Sequence, residues 1–239
     1  MDEKKFDRIE KKYLIDNTTK KKLLSVIKKK TQKDEYFKSE ILNIYFDTEN
    51  FDLIIKSIEN PDFKEKFRAR SYGGYDKVFL EIKTKMKTDG ERVGHKRRIL
   101  LTHQDFKKFV RGEKTAEELV SSQPDNDIQI AREVDYLVSY FELKPQILVY
   151  YERESHKGEE DLRITFDKNL RYRNQDLDFK RKVSDKYYFD DEKNIIMEIK
   201  ARGGMPLWLV EVLSENKIYP ERFSKIGKIY EKIRKEQNV

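Results

Sequence analysis

Much of the chain alternates between apolar and polar residues with a period of two, the pattern of strands that bury one face. It predicts strands near residues 6–15, 41–47, 65–72, 77–87, 93–101, 146–153, 161–168 and 194–201. Asp89-Gly90 lies between two of these runs and reads as a hairpin turn. Helical spacing occurs in fewer places. Thr18–Lys30 sets Leu23, Leu24, Val26 and Ile27 on an apolar side, Asn50–Ile58 reads as a short helix or turn, and Gln104–Val120 reads as a helix with a polar exterior. Beyond Pro220, Phe223, Ile226, Tyr230 and Ile233 recur at helical spacing and predict a C-terminal helix. Strand after strand with hairpin connections implies an α+β fold, a mainly antiparallel sheet with helices packed outside it. The expectation is one domain over residues 1–239.

Sorting each predicted strand by face gives a consistent result. Arg8, Glu10 and Lys12 share one face of the first strand, with Ile9, Tyr13 and Ile15 on the other. Lys66, Arg68 and Arg70 line up on the third, and Glu81, Lys83 and Lys85 oppose Leu80 and Ile82 on the fourth. The fifth offers Lys96 and Arg98, the sixth Tyr151 and Arg153, the seventh Arg163 opposite Ile164 and Phe166, and the last Glu198 and Lys200. A simply solvated polar face is the better account of any one strand taken alone. It explains the set less well, because cations dominate and crowded like charges repel unless an anion or water-filled space receives them. Closing such a sheet into a barrel would make the charged face a lumen and leave the apolar face for the helices.

Composition narrows what could fill that lumen. Charged residues make up 41% of the chain and aromatics 12%, so this is a folded domain with an unusually charged surface or interior. The net charge of +7 points to an anionic partner. Arg and Lys spread over many strands suit a ligand with many phosphates, since Arg binds phosphate oxygens in pairs and Lys supplies a mobile charge. Neither GxxxxGK[ST] nor GxGxxG occurs, so side chains rather than a backbone cradle must do the binding. Glu10, Glu81 and Glu198 would be costly among phosphates unless they hold a hard divalent cation, Mg²⁺ or Mn²⁺. No helix concentrates the basic residues, so nucleic acid is not expected. The absence of cysteine suits a reducing compartment. Met1–Lys12 has no apolar core, and Met205–Leu213 is too short to span a bilayer, so a cytosolic chain is expected.

An ordered succession of motifs gives a more specific reading. Arg8-Ile-Glu10-Lys-Lys12-Tyr13, Tyr45-Phe-Asp-Thr48, Phe67-Arg-Ala-Arg70-Ser-Tyr72-Gly73 and Phe79-Leu-Glu-Ile-Lys83 come first. Tyr151-Glu-Arg153, Arg163-Ile-Thr-Phe-Asp167, Met197-Glu-Ile-Lys200 and Phe223-Ser-Lys225 follow. Together, from about Phe6 to Tyr230, they resemble the CYTH or triphosphate tunnel metalloenzyme superfamily and, more narrowly, the VTC (vacuolar transporter chaperone) polyphosphate polymerase domain. The resemblance implies a closed antiparallel tunnel barrel that transfers the γ-phosphate of ATP to a growing polyphosphate chain, with Mn²⁺ or Mg²⁺. It implies that Lys12, Arg68, Arg70, Lys83, Lys96, Arg153, Arg163 and Lys200 bind phosphates, completed by Tyr151, Ser224 and Lys225. Arg8, Lys85 and Arg98 would add to substrate binding. Glu198 would be the principal metal ligand, with Glu10 and Glu81 as weaker candidates.

Two departures from the pattern matter. Hydrolytic relatives open with Glu-x-Glu-x-Lys, whereas Arg8 stands at the first Glu position, which favours a polymerase over a triphosphatase. The position aligned to Lys85 is a His in some relatives. A tunnel triphosphatase acting on inorganic or RNA 5′-triphosphate stays open as an alternative, as does a non-catalytic polyphosphate-binding module. Nor does the sequence fix the oligomeric state or whether a membrane partner exports the product. His95, His103 and His156 read as surface residues, Trp208 as core packing, and Lys20–Lys22 and Lys28–Lys30 as a solvated helix face. Arg171 and Arg173 read either as a tunnel entrance or as a solvated loop.

Overall fold

The computed structural model describes residues 8–60, 62–73, 76–88, 91–180, 185–189 and 194–237. In chain order the strands are β1 (Arg8–Ile15), β2 (Gln32–Asp47), β3 (Phe63–Tyr72), β4 (Lys77–Thr88), β5 (Glu91–Thr102), β6 (Lys144–Lys157), β7 (Arg163–Arg173), β8 (Lys186–Tyr187) and β9 (Ile195–Arg202). The helices are α1 (Asn17–Lys30), α2 (Asp52–Glu59), α3 (His103–Val110), α4 (Ala116–Leu119), α5 (Asp125–Tyr140), α6 (Leu207–Glu215) and α7 (Lys225–Gln237). The expected α+β architecture of antiparallel strands with helices is present, and every expected strand occurs.

The chain divides into two compact units. Unit 1 comprises Met1–Glu40, Tyr151–Arg171 and Tyr187–Phe223, and unit 2 comprises Ile41–Tyr150, Tyr172–Lys186 and Ser224–Val239. Both β2 and β6 run through the two units. Strand pairing follows the path β1-β9-β7-β6-β2-β3-β4-β5, with β8 beside β7. The expected barrel closure is not part of this pairing: among the described residues, the path is open at β1 and β5.

Each unit has its own core, built as period-two alternation requires. In unit 1, Tyr13 and Ile15 of β1, Ile164 and Phe166 of β7, and Met197 and Ile199 of β9 bury their apolar face with Leu23 and Ile27 of α1 and Leu209 and Leu213 of α6. Trp208 packs against this core, as expected of it. In unit 2, Phe67 and Ala69 of β3, Leu80 and Ile82 of β4, and Ile99 and Leu101 of β5 are covered by Phe106 and Phe109 of α3 and by Ile130, Val134 and Leu137 of α5. In each unit one face of these strands is thereby committed to the helices, and the charged residues take the opposite face.

Several local readings need correction. The helix expected over Gln104–Val120 is two helices, because the chain turns through Gly112 at φ +68° and Thr115 restarts a helix with a capping box to Glu118. α5 lies where no element is predicted; its apolar positions Ile130, Ala131, Val134 and Leu137 follow helical spacing. β2 begins at Gln32, well before the expected start, since its first residues are largely exposed and show no apolar alternation. Asp89-Gly90 lies outside the described residues, although β4 and β5 pair antiparallel up to Thr88↔Glu91 on either side of it. His103 and His156 are buried, not superficial. His156 approaches Phe37 and Phe166 edge-on and sits 2.9 Å from Glu154. Arg173 is neither an entrance nor a loop residue: it is buried on β7, donating to Asp185 at 2.7 Å and to the Asp178 carbonyl at 2.7 Å.

Asp47 shows how a quoted motif position holds the fold. The residue is fully buried at the end of β2, and its carboxylate accepts from the backbone N–H groups of Leu53 and Ile54, both at 2.9 Å, and of Thr48 at 2.8 Å. It thus satisfies orphan donors of α2, a helix whose own N-cap residue, Phe51, offers no side-chain acceptor. Asp47→Ala is expected to lose about 1–2 kcal/mol, read as a lower urea midpoint with an unchanged slope. Asp47→Asn keeps one acceptor oxygen and should lose less; an unshifted midpoint in both variants would remove the cap from the account.

Candidate functional site: a basic face and a mixed-charge face

Unit 2 gathers cations by strand register. Lys66 of β3 stands opposite Lys83 of β4, which stands opposite Lys96 of β5. In the adjacent row Tyr45 of β2, Arg68 of β3, Glu81 of β4 and Arg98 of β5 lie side by side. Lys85 shares this face, opposite Lys64, and is exposed. Arg70 pairs across from Asn43 and donates to the Asn43 side-chain oxygen at 2.8 Å. Arg98 lies over the Phe79 ring at 4.6 Å. Ser224 and Lys225 begin α7, where Lys66 Nζ donates to Ser224 Oγ at 3.0 Å and the Gly227 N–H donates to the same oxygen at 3.3 Å. These basic and hydroxyl groups at a helix N-terminus suit an anion.

At the centre of that face is one carboxylate. Glu81 is 1% exposed, and its oxygens lie 2.8 Å from Arg68, 2.6 Å from Lys96 and 3.7 Å from Arg70. Burial alone would raise its pKa, but Arg68, Arg70 and Lys96 outweigh burial and bring it down to about 2. Such surroundings suit a counter-ion, and in this structure Glu81, expected as a weaker metal candidate, serves Arg68, Arg70 and Lys96 in that way.

Unit 1 is different in kind. Glu10 of β1 stands opposite Lys200 of β9, which stands opposite Arg163 of β7; Lys12 stands opposite Glu198, which stands opposite Thr165. Carboxylates alternate with cations along and across the strands. Lys200 lies 2.7 Å from Glu198, and Lys12 lies 3.5 Å from Glu10 while donating to the Phe223 carbonyl at 3.1 Å. Arg153 makes a two-pronged contact with the buried Asp167, at 2.6 and 2.7 Å, and lies 5.4 Å from the Tyr151 ring. Burial opposes its charge, but Asp167, Tyr151 and Glu198 hold the Arg153 pKa well above the ordinary value. Arg163 donates to Ser155 Oγ at 3.1 Å and pairs with Asp34 at 3.0 Å.

Glu198 and Glu10 lie on neighbouring strands of this face, offset by one register step. Their chemistry fits Mg²⁺ or Mn²⁺, which take one or two carboxylates and complete their shell with substrate oxygens. Among the described residues, no three or more His, Asp or Glu side chains gather as an all-protein metal cage. The expected strand residues fall on these two polar faces, Ser224 and Lys225 lie at the start of α7, and the side chain of Arg8 lies outside the described set. The residues that position these cations escaped notice. Tyr45 and Asp167 stand inside recognised motifs without an assigned role, while Asp34, Asn43 and Ser155 carry no motif signal and are identified only by their partners.

The VTC domain family matches residues 7–233. Vacuolar transporter chaperone complex subunit 4 of Schizosaccharomyces pombe is 28% identical over 144 residues, covering 54% of this chain and 20% of that protein. The subunit of the same name from Trypanosoma brucei brucei is 28% identical over 156 residues, covering 56% of this chain and again 20% of the relative. The matched stretch therefore spans about a fifth of the length of these curated relatives. Among solved structures, a Hippeastrum protein named as a candidate adenylyl cyclase with a dominant triphosphatase activity aligns at a TM-score of 0.54 and 16% identity. That alignment covers 92% of this chain and 93% of the other, a likeness of fold. With its family match running through both units, the chain belongs to the VTC domain family.

Proposed function

We propose that the chain is a polyphosphate polymerase that transfers the γ-phosphate of ATP to the end of an inorganic polyphosphate chain. The observation that carries this reading is the cross-strand ladder of Lys66, Lys83 and Lys96 beside Arg68 and Arg98. Cations repeated from strand to strand match a linear ligand with a negative charge on every unit, better than a single phosphate. The tunnel of the related fold is the architecture this reading asks for, and each unit carries basic residues of its own. ATP use fits the cytosol expected from composition, and the relatives' names make a transporter complex the partner class. No helix among the described residues is long and apolar enough to cross a membrane.

In the proposed reaction a terminal oxygen of the polyphosphate chain attacks the γ-phosphorus. The bond from that phosphorus to the β–γ bridging oxygen breaks, and ADP leaves with the electron pair. The attacking oxygen is already ionised near neutral pH, so no general base is needed. His103 and His156 are accordingly free to serve as buried packing residues. Arg68, Arg70, Lys83 and Lys96 neutralise the phosphoryl oxygens and align the chain, while Lys12, Arg153, Arg163 and Lys200 do the same in unit 1. Arg8, Lys85, Arg98, Tyr151, Ser224 and Lys225 extend binding along the chain. Glu198, with Glu10, would hold Mn²⁺ or Mg²⁺, which supplies charge stabilisation to the transferring group.

Purified protein given γ-labelled ATP and Mn²⁺ should produce a ladder of polyphosphate and ADP. Label released almost wholly as orthophosphate, with no chain built even on a supplied primer, would replace this reading with the triphosphatase. Glu198→Gln should abolish turnover but leave tripolyphosphate affinity within a few-fold of wild type, because the cations remain; turnover at the wild-type rate would take Glu198 out of the mechanism. The third expectation concerns Arg8, a permanent cation with no acceptor. Arg8→Glu should raise the ratio of free to polymer-bound label, and an unchanged ratio at unchanged rate would mean that this position does not separate synthesis from hydrolysis.

A further inference from the structure

β2 delivers Tyr45 to the basic face of unit 2, directly across from Arg68. The side chain is buried, at 7% exposure, and its hydroxyl accepts a hydrogen bond from Arg68 Nη1 at 3.1 Å. The guanidinium carbon lies 5.8 Å from the Tyr45 ring centroid. From the other side, Arg68 Nε and Nη2 both donate to Glu81 Oε2, at 3.0 and 2.8 Å. The fork is thus gripped from two neighbouring strands, at Nη1 by β2 and along its Nε edge by β4. An Arg with one anchor can still turn about its long stem; two anchors on different edges of a planar group define its plane.

We infer that Tyr45 is a positioning residue for phosphate binding, its hydroxyl holding the Arg68 guanidinium against Glu81 in the orientation in which Arg68 meets a phosphate. This rests on the basic face being a phosphate site. The arrangement also couples binding to a proton. The charged groups facing the Tyr45 hydroxyl are Lys66, Arg68 and Arg70 of β3, with Glu81 of β4 and Lys96 of β5 joined to them by ion pairs. Burial would raise the phenol's pKa, but Arg68, Lys66 and Arg70 outweigh it and bring it down to about 8. Below that pH Tyr45 is a neutral partner to Arg68. Above it, the phenolate is an anion on the cations that phosphate needs, so ionisation disfavours phosphate. By the same linkage, bound phosphate pushes the phenol back up. Affinity should be halved at the midpoint and be about tenfold below its low-pH value one pH unit beyond it.

Tripolyphosphate binding to the whole chain, measured by calorimetry without metal between about pH 7 and 9, tests this. Wild type should lose about tenfold in affinity across that range, most of it in the upper half, whereas Tyr45→Phe should bind several-fold more weakly at neutral pH and show no such loss. Independently, the phenolate absorbance of the wild type should contain one tyrosine that ionises near the lowered midpoint, absent from Tyr45→Phe, and moved upward by tripolyphosphate. If Tyr45→Phe binds as tightly as wild type with the same alkaline loss, Tyr45 has no such role, although the basic face stands. If Tyr45→Phe does not fold, the wild-type titration decides: a midpoint that tripolyphosphate leaves in place overturns the inference. A wild type that does not bind tripolyphosphate at all overturns this inference and the polymerase reading together.

Discussion

Basic side chains crowded on β3, β4 and β5 must coexist in a folded state that holds no substrate. Neighbouring strands put facing Cβ atoms about 5 Å apart, and two like charges at that spacing repel by roughly 3 kcal/mol at the effective dielectric of a protein surface. Glu81 is what makes the arrangement tenable. Its carboxylate sits beneath the face, with Arg68, Arg70 and Lys96 drawn onto its two oxygens. The depressed pKa of about 2 expresses the same fact from the side of the carboxylate: it stays charged although burial opposes it. Removing either sign from such a buried cluster strands the other, which is far more costly than losing an exposed ion pair. The positions of Arg68 and Arg70, and through Arg68 that of Tyr45, therefore follow from the place of one glutamate in the strand register.

Unit 1 solves the same problem differently. There each cation has its own acid: Lys200 with Glu198, Arg153 with Asp167, Arg163 with Asp34. A phosphate arriving on this face must exchange partners with carboxylates, which weakens binding of a bare anion. It also means that negative groups are already present in number where a divalent cation is proposed to be held. The two faces thus differ in kind: unit 2 presents mostly cations around one buried carboxylate, and unit 1 combines cations with carboxylates of the kind Mg²⁺ or Mn²⁺ prefers. A uniformly basic face would leave no chemical place for the metal.

How far the sequence reveals this depends on what each feature encodes. Strand faces are legible because a period-two pattern survives in Phe67-Arg-Ala-Arg70 and Glu81-Ile-Lys83 whatever the neighbours are. The first part of β2 is not legible, because its residues are solvated and carry no apolar repeat. α5 went unread because its buried positions are spaced among Asp127, Glu133 and Asp135, and its capping of α4 through Asp135 is visible only in three dimensions. Site cations were recognisable from motif and parity alone. Their anchors were not, since what makes Asp34 the partner of Arg163, or Tyr45 that of Arg68, is proximity across strands distant in the chain. The fate of Glu81 was hidden for the same reason: residue type permits either a metal ligand or a counter-ion, and only its neighbours decide.

The distribution of Arg and Lys on the basic face has a further consequence for the proposed chemistry. Arg68 and Arg70 are largely enclosed and are fixed by Glu81, Tyr45 and Asn43. Lys85 is exposed, and Arg98 rests on the Phe79 ring at the solvent side. A held guanidinium recognises a phosphate in one geometry and needs little reorganisation when charge develops on it. An exposed ammonium on a flexible stem follows a phosphate through several positions with little change in energy. A polymer that must advance by one unit after every transfer needs both behaviours. Uniformly rigid contacts would trap the chain at each register, and uniformly mobile ones would leave the reacting phosphate poorly aligned. Rigid Arg near the buried Glu81 and adaptable Lys toward solvent are the combination that the proposed polymerase would need to align one phosphate while the remainder slides.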